Sequence, residues 1–149
     1  MKPIALLDVN VLIALFDSVH THHDLAHDWF ADNQQFGWAT CPLTENGLLR
    51  ILGSPARRDT LVPPPLIADH LRRLCAHGHH AFWPDTISLR DERIFDLAFV
   101  RGHRQVTDVY LLGLAVEHGG RLVTFDQNIQ SAAVKGATRG SLEVLALAG

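Results

Sequence analysis

At 149 residues the chain is the size of one ordinary domain, long enough to bury roughly two thirds of its unfolded surface in a single core. Its hydrophobic fraction of 47% and charged fraction of 19% exclude a disordered chain, and no apolar run is long enough to span a bilayer. A formal net charge of -3 gives no global attraction to a polyanion, so nucleic acid would have to be held by local charge or by metal.

The chain opens with "MKPIALLDVNVLIALFD". Ile4 to Leu7 reads as a short buried strand closed by Asp8, and Val9 to Phe16, largely apolar, as a helix laid over the sheet. Asp8 interrupts this apolar stretch, and no small-residue cleavage site follows, so a signal peptide is not expected and a cytoplasmic location is. "THHDLAHDWFAD" places Leu25, Trp29 and Phe30 at helical spacing with Thr21 as the expected N-cap. Trp29 and Phe30 belong to the core or to a dimer interface. "FGWAT" is a second strand.

Pro42 to Leu52 reads as a helix ended by "GSP", followed by the polar, proline-rich connection "ARRDTLVPPP". Ile67 to Cys75 is a helix stopped near Gly78, "HAFWP" a third strand, and Ile94 to Val100 a short helical segment. Thr107 to Glu117 forms a helix with Gly119 and Gly120 as its stop; "RLVTFD" and "LEVLAL" are the fourth and fifth strands. Alternating strands and helices imply a three-layer α/β/α sandwich with a mostly parallel central sheet of about five strands, a single domain over residues 1–149. In such sheets ligands bind beyond the carboxyl ends of the strands.

Four acids draw attention to that rim. Asp8 and Asp126 each follow a strand, a position where aspartate is also common for turn formation alone. Glu45 stands three, four and seven residues before Leu48, Leu49 and Leu52, on the apolar stripe of its helix. Asp108 precedes Leu111, Leu112 and Ala115 by the same intervals. For Asp108 a bland reading is good, since Thr107 can cap the helix and an acid in the first turn complements the dipole. Glu45 has no serine or threonine three residues before it to complete a capping box, and a glutamate facing a core is rarely buried without a partner. Four converging carboxylates without matching cations repel one another. Mg²⁺ or Mn²⁺ resolves the repulsion, because both prefer hard oxygen ligands and are held by a few carboxylates plus substrate phosphate. Two such ions about 4 Å apart activate a water and stabilise a leaving oxygen in phosphodiester cleavage.

"LLDVNVLIAL", "PLTENGLLRIL", "VTDVYLLGLA" and "LVTFD" together resemble the four acidic motifs of the PIN-domain family, in family order. More narrowly, the chain resembles VapC toxins of bacterial type II toxin–antitoxin systems. The resemblance runs from residue 4 to about residue 126 and implies that Asp8, Glu45, Asp108 and Asp126 form a catalytic metal site, with Asn10 and Thr124 supporting it. It also implies a Mg²⁺- or Mn²⁺-dependent endoribonuclease, an RNA substrate, a homodimer and a cognate VapB-like antitoxin that covers the site. A general base beyond a metal-activated water is not identifiable, although His103 precedes Asp108 by five residues.

Two other functions compete. A haloacid-dehalogenase-type phosphohydrolase also begins with an aspartate after a strand, but its second aspartate, two residues on, is here Asn10. A non-catalytic module would hold metal structurally or act with its antitoxin as a DNA-bound repressor, which would not require acids on an open rim. The remaining constellations are weaker. His23 and His27 share a helix face without a third ligand, and "HGHH" at His77 to His80 suits a helix C-terminus. Arg57, Arg58, Arg72 and Arg73 form either an RNA- or partner-contacting edge or a solvated face. Cys41 and Cys75 lack metal-ligand spacing and read as small hydrophobes.

Overall fold

The computed structural model describes residues 2–54 and 62–146. Five short strands, β1 (Ala5–Leu7), β2 (Trp38–Thr40), β3 (His80–Phe82), β4 (Arg121–Thr124) and β5 (Leu142–Val144), form one sheet in the order β3-β2-β1-β4-β5. Every pairing is parallel. All the strands therefore end on one rim, and the order reverses direction between β1 and β4, where a crevice opens in sheets of this kind.

The side-chain alternation of the strands divides the core into two layers. Ala5, Leu7, Trp38 and Val123 face α1 (Val9–Phe16), α2 (His23–Asn33), α3 (Pro42–Leu52) and α4 (Pro64–Cys75). Leu6, Ala39 and Leu122 face α5 (Val106–Glu117) and the irregular segments that carry Phe95 and Val134. This is the expected α/β/α sandwich. Helix α5 is buried from Val109 through Ala115, sealed between the sheet and those segments, and Gly119, at φ +67°, turns the chain from it toward β4. Trp29 and Phe30 lie in the core. Among the described residues no helix is long and apolar enough to cross a membrane.

Near the start of β4 a buried cation has an ionic partner. Arg121 Nε donates to Glu143 Oε1 at 2.9 Å, its Nη1 donates to the Pro3 carbonyl, and Glu143 Oε2 accepts from Trp29 Nε1 at 2.8 Å. A buried charge is tolerated when it is paired and hydrogen-bonded.

Several local expectations are corrected. Helix α2 is preceded by His22, not capped by Thr21, and no side-chain cap bond forms there. Helix α5 starts at Val106, so Thr107 lies inside it and is not its cap. Between Ile94 and Val100 only Leu97–Phe99 forms a 3-10 turn, because Phe95 pairs with Val134 in an isolated antiparallel bridge that draws the backbone away from a helix. Helix α4 begins at Pro64, three residues before Ile67, since proline is suited to the first helical turn. The "HGHH" stretch is a turn into a strand: Gly78 and His79 both have positive φ (+94° and +63°), and His80 opens β3. Arg72 and Arg73 pair with Asp69 on the solvated face of α4. Arg57, Arg58 and most of the "ARRDTLVPPP" connection lie outside the described residues.

Candidate active site

Asp8 is the residue after β1 and the N-cap of α1, with extended backbone (φ -60°, ψ 155°). It is only 3% exposed. Its Oδ1 accepts from the Val9 amide at 2.7 Å and its Oδ2 from the Thr124 hydroxyl at 2.7 Å. Thr124, the last residue of β4, is wholly buried, and its Oγ1 also accepts from the Asp126 amide at 3.1 Å. One threonine thus fixes the carboxylate after β1 and the backbone that carries the carboxylate after β4. Asp126 Oδ1 in turn accepts from the Asn128 amide at 2.8 Å, which holds the turn beyond β4.

Asp108, in the first turn of α5, completes a cluster of three. Its carboxyl lies within hydrogen-bonding reach of the Asp126 carboxyl and feels the charges of Asp8 and Asp126. Burial above all, then the Asp8 charge, and then the contact with Asp126 raise its pKa to about 7. Burial also raises the Asp8 pKa, against the opposing pull of Thr124 and the Val9 amide, with the Asp126 charge adding to the rise. Among the described residues no arginine or lysine pairs with any of the three. Arg121 and Glu143 show a buried charge with an ionic partner; among the described residues the aspartates have no such ion pair.

Glu45 occupies a neighbouring position. It sits in the first turn of α3, half-buried, and its Oε2 accepts from the Thr40 hydroxyl at 2.6 Å. Helix α3 packs on α1 through Gly47, which lies directly on Val9, the residue after Asp8; a Cβ at position 47 would stand 2.9 Å from Val9 Cγ2. Asp8, Asp108 and Asp126 therefore lie within reach of one another's charge, and Glu45 stands on α3, held by Thr40. Asn10 is exposed. The Thr124 hydroxyl donates to Asp8. Thr40 was not singled out in the sequence, although it ends β2 as Thr124 ends β4, and His80 was placed only within the "HGHH" stretch.

As the side chains stand, with Asp108 turned toward Asp126, no three His, Cys, Asp or Glu groups among the described residues are gathered about one point. The chemistry of the set nevertheless suits a hard divalent cation. All donors are carboxylate oxygens, and each is delivered by a different element. His23 and His27, with rings 5.6 Å apart, acquire no third ligand.

The sequence matches the model of the family described as "PIN domain" over residues 5–135, a span containing all of these residues. The chain belongs to the PIN-domain family. It is 43% identical over 145 residues to Ribonuclease VapC44 of Mycobacterium tuberculosis, covering 95% of this chain and 99% of that protein. It is 42% identical over 141 residues to Ribonuclease VapC39 of the same organism, with 95% and 99% covered, and 46% identical over 129 residues to Ribonuclease VapC38, with 84% and 86% covered. These relatives align this PIN domain with the VapC type and give no support to the dehalogenase alternative.

Proposed function

We propose that this PIN domain is the endoribonuclease toxin of a type II toxin–antitoxin system, acting with Mg²⁺ or Mn²⁺ on an RNA phosphodiester. The observation that carries this reading is that Asp8, Asp108 and Asp126, from three separate elements, lie within reach of one another's charge with no lysine or arginine paired to them among the described residues. The VapC ribonucleases over nearly the whole chain give the cluster its reaction class. Asp8 is oriented by Thr124 and the Val9 amide; Asp108 and Asp126 bring two further oxygens, and Glu45 a fourth carboxylate from α3. A bound divalent cation supplies counter-charge to the phosphate and activates the attacking water. The chain's part is to hold these oxygens on the rim beyond the strand ends. A cytoplasmic location, a homodimer and a VapB-like antitoxin complete the proposal, each following from the VapC type.

Purified protein is expected to cleave RNA in the presence of Mg²⁺ or Mn²⁺ and to lose all cleavage in excess EDTA, with activity returning when the cation is restored. Full activity in EDTA, read on a labelled RNA by gel, overturns the metal-dependent reading.

An acidic rim needs local cations to attract RNA, and the segment leading into α5 carries them. Arg101 and Arg104 are exposed, precede Asp108 by seven and four residues, and form no ion pair among the described residues. The double substitution Arg101→Gln/Arg104→Gln is expected to raise KM for RNA several-fold and to flatten the salt dependence of binding by up to about two phosphate contacts. An unchanged slope of binding against salt would exclude these arginines from the RNA path.

A further inference from the structure

We propose that Thr40 and His80 are positioning residues for Glu45, a hydroxyl–imidazole relay that fixes this carboxylate beside the end of β2; this rests on the metal-dependent ribonuclease reading above.

Thr40 is wholly buried at the end of β2. Its Oγ1 lies 2.6 Å from Glu45 Oε2 and 2.8 Å from His80 Nε2. A hydroxyl has one proton, and a carboxylate oxygen only accepts, so that proton goes to Glu45. The second contact is then a hydrogen bond that Thr40 Oγ1 accepts from His80 Nε2–H. This order of donation fixes the His80 tautomer and leaves Glu45 Oε1 outside the relay.

The imidazole is itself held in place. His80 opens β3 directly opposite Trp38 of β2, and the two rings lie 4.6 Å apart at 58°. Trp38 is buried and cannot yield. Burial holds the imidazole below its usual pKa, with the Glu45 charge opposing, which favours the neutral ring the relay uses.

The same device occurs twice in the sheet. Thr124 at the end of β4 donates to Asp8 and accepts from the backbone amide of Asp126, whereas Thr40 at the end of β2 donates to Glu45 and accepts from a side chain. The β4 version is built into the main chain; the β2 version can be removed by substitution. Glu45, Asn46, Cys75 and His80 line an open cleft of about 560 Å³. Cys75 does not compete as a nucleophile there, because burial and then the Glu45 charge push its thiol up to about 11.

The test uses the full chain with His80→Phe, His80→Gln, Thr40→Val and Thr40→Ser, titrated calorimetrically with Mn²⁺ and assayed for kcat and KM on RNA. Phenylalanine keeps the ring and loses the donor; glutamine keeps a donor at the place of Nε2. His80→Phe and Thr40→Val are expected to weaken Mn²⁺ binding about 10-fold or more and to lower kcat with little change in KM. His80→Gln and Thr40→Ser are expected to restore both to within about threefold. Thr40→Val sits in the core, so if it unfolds the His80 pair decides alone. Wild-type Mn²⁺ affinity in His80→Phe, or equal defects in His80→Phe and His80→Gln, overturns the relay. A wild-type protein that binds Mn²⁺ but cleaves no RNA overturns the ribonuclease reading instead, and the Mn²⁺ titrations still decide whether Glu45 is positioned through His80.

Discussion

Asp8→Asn is expected to lower RNA cleavage by at least about a thousandfold, several kcal/mol of transition-state stabilisation, while the metal-free protein melts no lower than wild type. Both halves follow from the geometry. Asparagine preserves the shape of Asp8 and the Oδ1 that accepts from the Val9 amide, so the cap of α1 survives. The Thr124 hydroxyl can rotate to accept from the new amide, since it is donor and acceptor alike. What is lost is the negative charge, which in this buried position already has a raised pKa and is costly without a cation. A residue kept for folding would behave in the opposite way, with the variant less stable and no catalytic consequence beyond unfolding. Paired cleavage assays and thermal melts therefore separate the two. Retained cleavage, or a fall in melting temperature without metal, would return Asp8 to the status of a strand-end cap.

The frame of this site was legible in the sequence because it depends on periodicity and position. Ile4 to Leu7 and "RLVTFD" could be placed as strands by composition, and the acids behind them then fell on one rim by the topology of parallel sheets. Glu45 and Asp108 were found from their helical offsets to leucines. The hydrogen-bond partners were not legible. Thr40 looks like an ordinary strand residue, Thr124 stood out only through the family resemblance, and nothing local distinguishes a buried hydroxyl aimed at a carboxylate from one facing a backbone carbonyl. His80 was read with the helix-ending "HGHH" because histidine suits a helix C-terminus; a positive φ at His79 is a tertiary outcome, set by the need to bring β3 alongside β2. The bend at Phe95 was missed for the same reason, since its bridge partner Val134 lies far along the chain. Of the four acids, Asp8 and Asp126 are tied to Thr124, and Glu45 is bonded to Thr40.

The largest effect on the fold is expected from pH. Asp108 titrates at 3.8 when unfolded and at about 7 in the folded protein. A carboxyl with a raised folded pKa holds a proton more tightly in the native state, so its contribution is fully present below pH 4 and disappears as pH rises through about 7. Asp8 is raised in the same direction. Metal-free protein is therefore expected to lose melting temperature between pH 5 and pH 8, by about 5 °C once partial solvent access to Asp108 is allowed for. His80 works against this trend, because its folded pKa is lowered and its contribution is lost as pH falls through the ordinary imidazole range. The measurement is accordingly the difference between wild type and Asp108→Asn at each pH, which isolates the one carboxyl. Asp108→Asn is expected to be relatively more stable than wild type at pH 8 and to lose that advantage at pH 5. Mg²⁺ or Mn²⁺ should raise the wild-type melting temperature at pH 8 and do little at pH 5, because cation and proton compete for the same oxygens. Parallel melting curves for the two proteins across this range, with no pH-dependent response to the cation, would show that Asp108 neither carries a raised pKa nor helps to hold a metal.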